Sequence, residues 1–349
     1  MPGPSVRARI GVIRGGRRIG RLARSAVAVS AILFLASSPA HAGTIVSIGD
    51  SYASGEGAAP YDADTDSKAA GHKCHRSSSA WPRLIGVTSE NHLACSGAVI
   101  RNIDSVGQVD APPDDRPQLE RLSALAQREP IDRVLVTVGG NDRPLNFASR
   151  IAKCWLASRL CLRDVNKIVG ELPALQTRLT KLYGKVKIRS EGAPVLVVGY
   201  PDIFPAPGSE SARWAMRHCR WVRAASLGRI AKVQARLDAA MSAAAAAAGA
   251  DFLSMRGVLK DHELCTGRSY VRSLVGAPGD LTADQQQGHP LKEGQVLMAF
   301  RVLTWLSQHR SSCTPSDDIA AIVDDSGSMD LNDPQNIRRR ALELLLTKP

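Results

Sequence analysis

Ser51 follows Gly49-Asp50 directly after the apolar run Thr44-Ile45-Val46-Ser47-Ile48. That placement puts a hydroxyl where a strand ends and the backbone turns sharply under glycine. In open α/β sheets the carboxyl ends of strands are where ligands bind. A Gly-Asp-Ser triplet alone is common in turns and at helix N-caps. A nucleophilic serine also needs a base to take its proton and donors where an oxyanion forms. Three further stretches carry residue types suited to those needs. Ala94-Cys95-Ser96-Gly97-Ala98 places a glycine where a backbone N–H can approach a ligand closely. Gly139-Gly140-Asn141-Asp142 follows the run Arg133–Val138 and can turn the Asn141 amide toward the same strand-end crevice. Gly288-His289-Pro290 sits on a loop just before the last helical stretch. The Gly-x-Ser-x-Gly elbow that presents a serine in α/β-hydrolases does not occur. The set suits attack of a serine on an ester carbonyl.

Strands and helices must hold these stretches together. Short β-branched runs at Thr44–Ile48, Arg133–Val138 and Val195–Gly199, with a weaker one at Ala250–Leu253, predict four strands. Helical patterns separate them, including Gln118–Arg128, Ala224–Ala248 and Lys292–His309. The alanine-rich Ala243–Ala248 continues the spacing of Ile230, Val233, Leu237 and Met241, and Gly249 ends it. Alternating strands and helices predict an α/β fold with a parallel sheet covered on both faces. From Gly43 to about Arg310 the chain reads as one such domain, long enough for a substantial core. Residues 55–82 and Asp104–Pro117 read as long loops, which in compact domains are functional or pinned by a crosslink.

The chain has seven cysteines. Six allow fifteen pairings, and the expected one joins sequence neighbours: Cys74–Cys95, Cys154–Cys161 and Cys219–Cys265, with Cys313 left over. His72, Cys74 and His75 raise a metal site, but no paired Cys-x-x-Cys knuckle supports it. The other histidines, His72, His75, His92, His218 and His262, read as surface or loop residues.

Residues 1–42 carry seven arginines and no acids, then an apolar run from Ala26 to Ala36 and the small-residue site Ala40-His41-Ala42. This is the pattern of a secretory signal peptide, and the run is too short to span a bilayer. Arg17-Arg18 suggests a twin-arginine route only weakly, because Gly20-Arg21 follows where apolar residues belong. Removing the leader takes the formal charge from +12 to +5. The remaining basic residues are scattered and aromatics make up 4% of the chain, which argues against a nucleic-acid partner. A basic surface suits approach to an anionic membrane or cell wall.

Four ordered motifs resemble the SGNH hydrolases, also called GDSL esterases and lipases, over roughly residues 44–300. They are Ser47–Gly57, Leu93–Ala98, Val136–Asp142 and His262–Cys265, and they are most similar to the secreted actinobacterial branch with three disulfides. The resemblance implies a three-layer, flavodoxin-like α/β/α sandwich, a secreted monomeric lipase or carboxylesterase, and no metal or organic cofactor. It assigns Ser51 as nucleophile and His289 as general base. The oxyanion hole falls to the Ser51 and Gly97 backbone N–H groups and the Asn141 side chain. Many members place an aspartate three residues before the histidine, where this chain has Gln286. A neutral amide stabilises an imidazolium less than a carboxylate does. The expectation is therefore a Ser51–His289 dyad oriented by a main-chain carbonyl near Gln286 or Gln287, with Asp284 as the alternative. A carbohydrate acetylesterase is the runner-up enzyme, although no sugar-binding aromatic platform is evident. The reading from another class is a non-catalytic adhesive or scaffold protein. It draws on residues 319–349, which follow a linker at 311–318 and resemble the truncated start of a von Willebrand factor A domain. Asp324, Ser326 and Ser328 match that family's cation motif.

Overall fold

The computed structural model describes residues 44–67, 71–109, 112–142, 158–219, 222–273 and 286–309. All lie in the compact unit Ala42–Pro349; the other unit, Met1–His41, is outside them. The expected signal peptide, the linker 311–318, the segment 319–349 with Asp324, Ser326 and Ser328, the Cys154–Cys161 pairing, Cys313 and Asp284 also lie outside the described residues.

Among the described residues, four parallel strands form the sheet in sequence order: β1 (Thr44–Gly49), β2 (Ile131–Thr137), β3 (Val195–Val198) and β4 (Asp251–Leu253). The helices are α1 (Ser51–Ser54), α2 (Trp81–Leu84), α3 (Ile100–Asp104), α4 (Gln118–Ala126), α5 (Ser158–Arg189), α6 (Glu210–His218), α7 (Ala224–Ala247) and α8 (Lys292–Gln308). Side chains alternate across a strand, so each strand feeds two cores. On one face Val46, Ile48, Val134, Val136, Val195 and Val197 pack with residues of α3, α4, α5 and α7. On the other, Leu135, Leu196, Val198 and Leu253 pack with Ala53, Trp81, Met298, Ala299 and Val302 of α1, α2 and α8. Each fully buried aliphatic side chain contributes about 1.5–3 kcal/mol. The result is the expected three-layer α/β/α sandwich. Among the described residues no helix is long and apolar enough to cross a membrane.

The longest helix, α5, carries Gly170, Pro173 and Gly184, which punctuate its pattern in the sequence. Its core stripe is nevertheless continuous: Val165, Ile168, Leu172, Leu175, Leu179, Leu182, Tyr183 and Val186 are all buried at three- and four-residue spacing. Packing against sheet and α7 outweighs the weak local propensity.

The two long loops are pinned. Cys74–Cys95 ties the first to the segment after α2, and Cys219–Cys265 ties the end of α6 to the segment beyond β4. Asp114 gathers Arg76, Arg121 and His72 at one buried carboxylate, joining both loops to α4. This overturns the surface reading of His72, His75 and His92, which are all buried. His75 is hydrogen-bonded to Glu56 and His92 to the Ala53 carbonyl, while His72 Nε2 lies 2.9 Å from the Asp114 carboxylate.

Candidate active site

The turn that carries Ser51 is fixed by contacts on both sides. Gly49 has φ +146°, and a Cβ there would lie 2.2 Å from the Thr137 carbonyl oxygen of β2, so only glycine fits. The Gly49 N–H donates to Gln118 Oε1 at 2.8 Å, and its carbonyl accepts from Gln118 Nε2 at 2.9 Å. The side chain at the start of α4 thus acts as a short strand partner for the end of β1. Asp50 then caps α1, its Oδ1 accepting from the Tyr52 N–H at 3.1 Å. Ser51 is the first residue of α1, which ends after one turn at Gly55 (φ +89°). His289 Nε2 lies 2.8 Å from Ser51 Oγ.

His289 is presented by a turn braced from three directions. Its N–H donates to the Gln286 carbonyl at 3.2 Å and its own carbonyl accepts from the Arg272 N–H at 2.8 Å. The Tyr52 hydroxyl donates to the Gly288 carbonyl at 3.0 Å, and the Tyr52 ring lies 5.0 Å from the imidazole. Helix α1 therefore also holds the loop that carries His289.

Asn141 and Gly97 belong to adjoining segments. Asn141 Nδ2 donates to the Ala98 carbonyl at 3.1 Å, and Gly97 has φ +81°. Gln108, from the second long loop, donates to the Ser96 carbonyl beside Gly97. The Gly140 N–H donates to the Tyr200 hydroxyl at 2.9 Å, and that hydroxyl donates to Asp50 Oδ2 at 2.5 Å. A buried relay thus links the Asn141 turn through Tyr200 and Asp50 to α1. Burial pushes the Asp50 carboxyl up to about 7 against the pull of its Tyr200 and Tyr52 bonds, and Asp142 adds to the rise. Burial likewise pushes Asp142 up to about 6 while it accepts from the Ile100 N–H that opens α3. Asp50 is structural in this arrangement, as its place in the turn suggests.

The structure brings Ser51 and His289 into hydrogen-bond contact and ties Asn141 to the Gly97 loop. Sequence reasoning missed Tyr52, Gln118 and Tyr200. Tyr200 follows β3 after one glycine, and a polar residue at a strand's carboxyl end is the signal that could have found it. The metal reading of His72, Cys74 and His75 does not hold. Cys74 is spent in a disulfide, and His75 faces Glu56 rather than His72. His72, Cys74 and Asp114 do converge, but two guanidinium groups on Asp114 repel a cation there.

The chain is similar to known proteins in sequence and fold. Residues 47–295 match the GDSL-like Lipase/Acylhydrolase family. The chain is 29% identical to a lipase of Streptomyces rimosus over 79% of its own length and 95% of that protein's. It is 27% identical to Lipase 1 of Streptomyces coelicolor over 76% of its length and 91% of that protein's. Among solved structures it resembles the extracellular lipase of Streptomyces rimosus, with TM-score 0.59 and 26% identity over 76% of this chain and 99% of that one. It also resembles phospholipase A1 of Streptomyces albidoflavus, with TM-score 0.55 and 25% identity over 75% and 98%. The chain therefore belongs to the GDSL-like lipase and acylhydrolase family, and it is a serine ester hydrolase.

Proposed function

We propose that the chain is a secreted, monomeric lipase or carboxylesterase working through a Ser51–His289 dyad on acyl esters of lipids. The observation that carries the dyad is the 2.8 Å contact between His289 Nε2 and Ser51 Oγ. The Ser51 proton passes to Nε2 as Oγ attacks the ester carbonyl, and the imidazolium returns it to the departing alcohol. Water then adds to the acyl-enzyme by the same path, releasing the acid. The Ser51 and Gly97 N–H groups and the Asn141 amide form the oxyanion hole, where one donor is worth about 3–4 kcal/mol in the transition state. A main-chain carbonyl near Gln286 or Gln287 orients the imidazole, a role that Asp284 is the alternative for. The lipid substrate is supported by the relatives named as lipases and as a phospholipase A1. Export is supported by the leader pattern of residues 1–42 and by the two disulfides.

Labelling with a fluorophosphonate probe tests the dyad. Wild type should label, Ser51→Ala should not, and His289→Ala should label at least a hundredfold more slowly, about what loss of a general base removes. A folded, disulfide-bonded wild type that stays unlabelled would overturn the reading. In parallel, Gln286→Ala and Asp284→Ala should each keep kcat for a nitrophenyl ester near wild type. A loss of orders of magnitude in either would replace the main-chain carbonyl with that side chain.

A further inference from the structure

Residues 95–98 form a β-turn closed by the Ala98 N–H on the Cys95 carbonyl at 3.1 Å. Two contacts fix this turn beside the one that carries Ser51. The Cys95 N–H donates to the Gly49 carbonyl at 3.0 Å, and the Ala98 carbonyl accepts from Asn141 Nδ2 at 3.1 Å. Gly97 is the third residue of the turn, and its φ of +81° is the type II value. A type I turn keeps the same closing bond but turns the central Ser96–Gly97 peptide over, and glycine adopts either φ readily. A trans peptide points its C=O and its N–H in opposite directions. The closing bond therefore does not decide which way the Gly97 N–H faces. Whatever holds the Ser96 carbonyl does.

Gln108 Nε2 donates to that carbonyl. Gln108 is itself held, its N–H donating to the Asp114 carbonyl at 3.0 Å, and a Cβ on the preceding Gly107 would lie 1.9 Å from the Asp115 carbonyl oxygen. Two other bonds anchor Ser96: its N–H donates to the Cys74 carbonyl at 3.0 Å and its Oγ to Glu56 at 2.6 Å. Neither involves the central peptide, so both are compatible with either turn. Gly97 is exposed between buried Ser96 and Ala98, and its N–H has no acceptor among the described residues. We propose that Gln108 is a positioning residue that, by holding the Ser96 carbonyl, keeps the Gly97 N–H turned to the site as an oxyanion donor. This rests on the reading of Gly97 as part of the oxyanion hole. With the peptide turned over, the Ser96 carbonyl would face the developing oxyanion and repel it.

The test compares kcat for a nitrophenyl ester, per serine titrated by a fluorophosphonate, with inhibition by a trifluoromethyl ketone, which forms a hemiketal oxyanion on a serine. Gln108→Leu keeps the length and loses the donor. It should lower kcat about tenfold, leave KM little changed and weaken the ketone by the same factor. A role in packing alone would not tie those two factors together. Gly97→Ala drives the turn toward type I and should cost about a hundredfold in kcat. Adding Gln108→Leu to it should cost little more, because the donor that Gln108 aims is already lost. Wild-type kcat in Gln108→Leu, or the same tenfold loss in the Gly97→Ala background, would overturn the proposal. Gln108→Glu sets a second acceptor against the Ser96 carbonyl and should lose at least as much, so it decides the matter if Gln108→Leu does not fold. Failure of the underlying reading looks different: Gly97→Ala itself would keep wild-type kcat, and the proposal would fall with it.

Discussion

Asp50 shows how a single side chain can serve the site at the expense of the fold. It caps α1, receives the Tyr200 hydroxyl and sits 1% exposed. Burial raises it from 3.8 to about 7, so the folded protein holds its proton more tightly than the unfolded chain does. A raised carboxyl of this kind lowers stability as pH rises from about 4 through 7, and the loss is complete above the folded value. Asp50→Asn keeps a good cap residue and has no proton to lose. Its melting should match wild type near pH 4 and exceed it at pH 8, by at most about 4 kcal/mol. Denaturant midpoints across that range measure the difference. Equal midpoints at pH 8 would mean that Asp50 ionises without strain. Ser51, Gly97, Asn141 and His289 were all legible as residue types at meaningful places in the chain. Glu56 lies inside the first motif, but its bonds to His75, Tyr61 and Ser96 bring together segments that no local pattern joins.

Among the elements, the strands were legible because burial on both faces leaves nearly continuous β-branched runs. The helices Gln118–Ala126, Ala224–Ala247 and Lys292–Gln308 also kept their expected places to within a few residues. The helix α5 went unnamed, since Gly170, Pro173 and Gly184 interrupt a stripe that only the sheet and α7 make evident. The short helices α1, α2 and α3 are too brief for periodicity to register. The sequential cysteine pairing is seen at both described bridges. Cys219–Cys265 joins the end of α6 to the segment whose residues Tyr270 and Arg272 bond to Leu291 and His289. It closes a separation of 46 residues, for which restriction of the unfolded chain is worth about 4 kcal/mol. The double variant Cys219→Ser/Cys265→Ser should lose about that much stability in urea. A loss below about 1 kcal/mol would mean that the packing of Ile203, Phe204, Leu264 and Val271 already holds the segment.

Across the whole molecule, the buried titratable groups set opposing pH limits on the fold. His75 is held above its ordinary range by Glu56, so its stabilising contribution is present below about pH 6.5 and fades as pH rises through the folded value. Asp50 adds to that alkaline loss. On the acid side, burial would raise Asp114, but Arg76 and Arg121 hold it below the ordinary carboxylate value, so its contribution is lost as pH falls through the lowered one. His92 acts in the same direction from a different cause. Burial pushes it down from 6.5 to about 3 while Nε2 lies 2.8 Å from the Ala53 carbonyl behind α1. The unfolded chain binds a proton at His92 between those values and the folded one does not, so stability drops as pH falls from 6.5 toward 3. By pH 4 that single residue accounts for about 3 kcal/mol. His92→Gln retains an N–H for the Ala53 carbonyl and cannot take up the proton. Between pH 7 and pH 4, wild type should therefore lose about 3 kcal/mol more stability than His92→Gln. Urea midpoints at the two pH values decide it, and parallel losses would show that protonation of His92 does not drive the acid transition.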